Sequence, residues 1–201
     1  MRRRARPSTR ALSSSSSSDS PALTVKVHCI SGSLRAASSN SSILRVFAAL
    51  APADVTVTIE SALDQLPYFN PDLDRALHDP ALPVSVRQLR ERVGAAEALV
   101  ISSPEYAHGV PGMLKNALDW LVGGEEMPGK PVALFNTSPH ASHAQASLAE
   151  TLRTMSCVLA EGANLTIALP RGATDEVLVR DPVLGAAVHD ALAALRSATS
   201  A

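Results

Sequence analysis

Between residues 24 and 196, five short apolar runs alternate with five stretches of helical periodicity. The runs 24–30, 55–60, 98–102, 131–136 and 164–169 read as strands. Helices are expected over 40–50, 84–96, 112–122, 142–159 and 182–196. Ile43, Leu44, Phe47 and Leu50 share one face of the first helix, and Leu148, Leu152, Met155 and Leu159 share one side of the fourth. Alternation of this kind builds a parallel sheet covered by helices on both faces. Right-handed crossovers leave few ways to connect it. Ligands of such a sheet bind at the carboxyl ends of the strands, near the switch in strand order. The segments that follow the first, third and fourth strands are therefore the ones to search for function.

The 201 residues suit one domain with a tail. Apolar residues make up 46 %, ample for a core, but aromatics only 3 %, so Ala, Val and Leu must fill it. Cys29 and Cys157 are too few for a disulfide framework and read as small buried hydrophobes. No Cys/His spacing suits a metal, and no run approaches the ~20 apolar residues of a membrane span. The net charge of −1 offers no attraction to nucleic acid or an anionic membrane. A soluble protein of a reducing compartment, the cytoplasm, is expected.

Residues 1–22 stand apart. Five arginines, Arg2, Arg3, Arg4, Arg6 and Arg10, precede the run Ser13 to Ser18. Such a stretch has too little apolar surface to offset the entropy of ordering. It is expected to be a disordered extension, read as an over-extended start or as an organelle transit peptide. With Asp19 it carries +4, which leaves the remainder at −5. One domain is expected over 23–198.

The first strand ends in Ser31-Gly32-Ser33-Leu34-Arg35-Ala36-Ala37-Ser38-Ser39-Asn40-Ser41-Ser42 and runs into a helix. A helix N-terminus offers unpaired N–H groups and the positive end of a dipole. Ser33, Ser38, Asn40 and Ser41 add short polar side chains, and Arg35 a planar fork of donors. Taken alone, the loop also fits an ordinary Ser/Asn helix cap. It lacks the lysine of a P-loop and the glycines of a dinucleotide fingerprint, so a single monophosphate suits it best.

The third strand ends in Ser102-Ser103-Pro104-Glu105-Tyr106-Ala107-His108-Gly109-Val110-Pro111-Gly112 and continues through Leu114-Lys115-Asn116-Ala117-Leu118-Asp119-Trp120. Two prolines and two glycines give this loop a defined shape. A flat ring could lie against Tyr106 and the main chain of Pro104 and Glu105. Lys115 and Asp119 are spaced to pair on the helix surface. Trp120 reads as packing, and His28, in mid-strand, as a partnered core residue. His108 is placed to overhang a ligand or meet a partner subunit. His140 and His143 read as surface-loop and helix-start residues, or as contacts for a nicotinamide phosphate.

Together, Gly32-Ser33-Leu34-Arg35 with Ser38 and Asn40, Pro104-Glu105-Tyr106, and Pro111-Gly112 with Leu114-Lys115-Asn116-Ala117 and Asp119-Trp120 resemble the NADPH-dependent FMN reductase family. Chromate and quinone reductases and related azoreductases belong to it. Leu66-Pro67-Tyr68-Phe69-Asn70-Pro71-Asp72-Leu73 resembles the family's loop after the second strand. The resemblance implies a flavodoxin-like three-layer sandwich with strand order 2-1-3-4-5, non-covalent FMN, NADPH or NADH as electron donor, and a homodimer or homotetramer. Carried over by position, Ser33, Arg35, Ser38, Asn40 and Ser41 would hold the FMN phosphate. Pro104, Glu105 and Tyr106 would line the isoalloxazine, with Thr137 and Ser138 on its other side. The family usually has Asn where this chain has Ala107.

The reaction implied is a ping-pong transfer of electrons from NAD(P)H to a quinone, azo compound, chromate or free flavin, with no nucleophile or general acid from the protein. Two other readings stay open: a non-enzymatic flavin electron carrier or redox-sensing module, and a domain that has lost its flavin.

Overall fold

Every residue of Ala98–Ser102 is buried, because the strand they form has helices on both sides. Its side chains alternate between two cores. Ala98 and Val100 point into one with Phe47, Phe135 and Leu192, and Leu99 and Ile101 into the other with Leu89, Leu118 and Leu148. A computed structural model describes residues 24–200. The expected extension over 1–22 lies outside the described residues.

In chain order the elements are β1 (Val25–Ser31), α1 (Ser39–Ala49), β2 (Val55–Ile59), α2 (Val84–Ala95), β3 (Ala98–Ser102), α3 (Gly112–Val122), β4 (Pro131–Asn136), α4 (Ser142–Thr154), β5 (Val158–Leu159), β6 (Leu165–Thr166), α5 (Asp175–Val179) and α6 (Pro182–Thr199). The sheet is parallel, as the alternation of elements implied, and its order β2-β1-β3-β4-β5 is the one the family resemblance implied. Helices α1 and α6 cover one face and α2, α3 and α4 the other, each laying an apolar stripe on the sheet.

The edge beyond β4 departs from expectation. The helix expected to run to residue 159 ends at Thr154. Ser156 takes a left-handed φ of 60°, and Cys157 N–H bonds back to Leu152 O at 3.0 Å, which closes the helix end. Leu159, spaced like a helix-face residue, is instead a strand residue paired with Val132. The fifth strand position is shared by β5, beside Pro131 and Val132, and β6, beside Phe135 and Asn136. Between them Leu134 N–H finds no strand partner and donates to Asn164 Oδ1 at 2.7 Å. The short helix α5 was not foreseen.

The Pro- and Asp-rich stretch after β2 is a long connection with two 3₁₀ turns, as expected. Helix α3 holds it. Asn116 Nδ2 and Trp120 Nε1 both donate to Pro67 O, at 3.0 and 2.8 Å, and Phe69 meets the Trp120 ring edge-on at 5.1 Å. Trp120 is fully buried, and Lys115 pairs with Asp119.

Candidate functional site

Ser31 and Ser102 end their strands side by side, and Gly32 N–H donates to Ser102 O at 2.7 Å. This draws the first loop against the third strand. A side chain has no room there: a β-carbon on Gly32 would lie 2.6 Å from Ser103 Oγ and 3.1 Å from Leu114 Cδ2. Ser38, buried, caps α1 by accepting from Ser41 N–H at 3.3 Å. The N–H groups of Ser39 and Asn40, in the first turn, have no intrahelical acceptor and lie at the positive end of the helix dipole. Asn40 is buried too. Its Oδ1 accepts from Ser102 Oγ at 2.9 Å and Thr137 Oγ1 at 3.4 Å, so one side chain ties the ends of β3 and β4 to the start of α1.

These loops enclose a groove of about 770 Å³. Ser33, Arg35, Ser38, Asn40, Pro104, Tyr106 and Thr137 line it. A second cavity of about 350 Å³ shares Asn40, Pro104 and Thr137 as walls and adds Glu105, Ser138 and His140. Nine of the ten site residues expected from the sequence thus line one trough across the ends of β1, β3 and β4. The tenth, Ser41, turns its hydroxyl to Ser31 Oγ at 2.8 Å and lines a neighbouring cavity. Ser39 and Ser42 line the groove in addition; their helix-start positions were a signal available in the sequence. The turn after β6, Leu169 to Ala173, completes the lining. Nothing in the sequence marked it, because only the last crossover brings it there.

No Asp or Glu lines the groove. It therefore suits an anion, and Arg35, exposed, makes no ion pair among the described residues. Hydroxyls, helix N–H groups and unpaired guanidiniums, with apolar and backbone surface beside them, fit a phosphate ester carrying a flat heteroaromatic ring.

The second loop is a tight turn. Tyr106 and Gly109 exchange both backbone hydrogen bonds, at 2.9 and 3.2 Å. The two residues between them, Ala107 and His108, have φ of 49° and 60°. Such a turn favours Asn or Gly at both central positions, since β-carbons crowd the backbone there. The loop also docks on α4. Glu105 Oε2 accepts from Ala144 N–H at 2.8 Å, capping a helix whose own N-cap residue, Ala141, offers no side-chain acceptor. The His108 ring stacks on His143, centroids 4.4 Å apart and planes within 6°. Tyr106 is 57 % exposed at the rim of the groove.

Neither cysteine is placed as a nucleophile. Both are buried and free, and burial pushes the Cys157 thiol up to about 11 and Cys29 higher still. His28 is partnered, as expected: Nδ1 lies 2.8 Å from Thr58 Oγ1 and Nε2 3.4 Å from Glu60 Oε2, the latter without hydrogen-bond geometry. Burial pushes the Glu60 carboxyl up. The His28 ring, the Arg92 guanidinium at 2.9 Å and the N–H of Ala62 outweigh this and hold it at about 2. Among the described residues no cluster of three side chains could hold a metal, and no helix is long and apolar enough to cross a membrane.

Residues 25–167 match the family described as NADPH-dependent FMN reductase. An NAD(P)H-dependent FMN reductase of Pseudomonas aeruginosa is 35 % identical over 133 residues, 64 % of this chain and 69 % of that protein. A quinone reductase of Escherichia coli K12 is 34 % identical over 116 residues, 57 % of this chain and 60 % of that protein. Among solved structures, a flavoenzyme NAD(P)H:(acceptor) oxidoreductase of Paracoccus denitrificans superposes with a TM-score of 0.65 at 26 % identity, covering 87 % of this chain and 98 % of that one. An archaeal flavodoxin, at 14 % identity and a TM-score of 0.58 over 87 % of this chain and 99 % of its own, shares the fold.

Proposed function

Because the chain belongs to the NADPH-dependent FMN reductase family, we propose that it binds FMN non-covalently and passes electrons from NADPH or NADH to a small acceptor. One observation carries the reading. The acid-free groove and its adjoining cavity join a phosphate-binding helix start to the Pro104–Tyr106 loop across the carboxyl ends of three strands.

Ser33, Arg35, Ser38 and Asn40, with the N–H groups of α1, would hold the flavin phosphate. Ser41 would act through Ser31 at the base of the loop. Pro104, Glu105 and Tyr106 would line one side of the ring, and Thr137 and Ser138 the other. FMN, when bound, supplies a centre that takes hydride from the nicotinamide and releases electrons to the acceptor. The protein's part is to bind and orient. Glu105 fixes the loop against α4 instead of moving a proton, and no side chain is required as nucleophile. Donor and acceptor use the same open face in turn, which gives ping-pong kinetics. A quinone is the acceptor favoured by the name of the E. coli relative. Azo compounds, chromate and free flavin are further candidates.

The reductase domain spans residues 23–198 and works in the cytoplasm as a homodimer or homotetramer. Exposed Leu34, Tyr68 and Leu73 offer apolar surface for such contacts. The test is to purify the protein, record its flavin absorbance, and follow NADPH and NADH oxidation with a quinone. Turnover with parallel double-reciprocal lines is expected. Apoprotein that neither takes up excess FMN nor oxidises either donor would refute the proposal.

A further inference from the structure

The turn between β6 and α5 also lines the groove. Ala173 N–H bonds to Pro170 O at 3.2 Å, and Gly172 at the third position has a φ of 74°. That geometry needs glycine there and leaves Arg171 at the corner. The turn is anchored from behind. In α5, Leu178 is buried in the core, and Asp175 bonds Arg45 of α1 at 2.5 Å. Arg45 is thereby neutralised. Arg171 is exposed, lines the groove, and takes no hydrogen bond or ion pair among the described residues.

The groove therefore holds two unpaired guanidiniums from two different loops, Arg35 and Arg171, and no carboxylate. A single phosphate ester is already served by Arg35, the serines and the helix start. The second cation calls for a second anion. A quinone carries none. The nicotinamide donor carries a pyrophosphate, and in its phosphorylated form a further phosphate.

We propose that Arg171 binds a phosphate of the nicotinamide dinucleotide, as an anchor separate from the one that holds the flavin phosphate. The inference rests on the functional reading above. It makes the β6–α5 turn the element that selects the donor, while Arg35 and α1 select the flavin.

The test uses FMN-loaded protein and the variants R171A, R171K and R180A. Arg180 is an exposed arginine at the end of α5 that lines neither cavity, so it serves as the control for net charge. Calorimetry with NADP⁺ and NAD⁺ reads dinucleotide affinity without turnover, and fluorescence titration of apoprotein reads FMN affinity. R171A is expected to weaken dinucleotide binding about tenfold and leave FMN affinity within about twofold, with R171K intermediate and R180A like wild type. A loss confined to NADP⁺ places the contact at the additional phosphate. An equal loss for both dinucleotides places it at the pyrophosphate, and either result supports the proposal. It is overturned if R171A weakens FMN instead, if R171A binds dinucleotide like wild type, or if R180A weakens it equally. Wild-type holoprotein that binds neither dinucleotide overturns this inference together with the functional reading. Binding without turnover counts against the functional reading alone.

Discussion

Glu105 Oε2 accepts a hydrogen bond from Ala144 N–H at 2.8 Å, so the loop that would face the flavin ring also caps the helix after the next strand. Glu105→Ala removes the cap, and a lost cap costs about 1 kcal/mol. The melting temperature should fall by about 2–4 °C and FMN affinity should weaken with it. Glu105→Gln, which keeps an acceptor oxygen, should recover most of both. Calorimetry and flavin titration measure the pair of effects. Unchanged affinity in Glu105→Ala would separate the cap from the site.

Gly32 sits where a β-carbon would press on Ser103. Forcing extra volume into such a place costs about 1–3 kcal/mol. Gly32→Ala should therefore lower the urea midpoint and release FMN more readily. A variant with wild-type midpoint and affinity would show that the loop yields without cost.

Ala107 occupies a left-handed position that Asn tolerates better. Ala107→Asn should relieve part of the about 1–2 kcal/mol that a left-handed backbone costs a residue with a β-carbon, seen as a small rise in melting temperature. Gly109, already paired both ways with Tyr106, should keep the loop's path unchanged. A fall in melting temperature would contradict this account of the turn.

Glu60 is held at about 2 in the fold against an ordinary 4.5. Its ionised form therefore favours the folded state. That contribution is complete above about pH 5 and is lost progressively as the pH falls toward about 2. Glu60→Gln should be less stable at pH 7 and should flatten the decline of stability between about pH 5 and pH 3. Urea unfolding at several pH values reads both. An unaltered slope would place the acid sensitivity elsewhere.

Much of this protein was legible before any coordinates. Apolar periodicity located β1 to β4 and α1 to α3 to within a residue or so, because each is buried along a face that its own sequence must supply. The glycine and serines of the first loop and the prolines of the second marked the trough, since turn geometry and helix starts demand local residue types.

Other features arise from contacts between distant segments. Leu159 keeps helical spacing yet pairs as a strand, because β4 offers an open edge and Ser156 ends the helix first. Ser41 carries the same hydroxyl as its neighbours, and only the packing of α1 on β1 turns it toward Ser31. Glu105 and Ala144 are 39 positions apart, and their bond exists because β3 and β4 are adjacent. Arg171 becomes a groove residue when the split fifth strand delivers its turn to the groove that Arg35 also lines. The sequence by itself determined the layered α/β architecture and the serine-rich turn into α1, both set by local patterning. The tertiary structure alone decided which side chains meet across the groove, because that depends on strand order and the route of the last crossover.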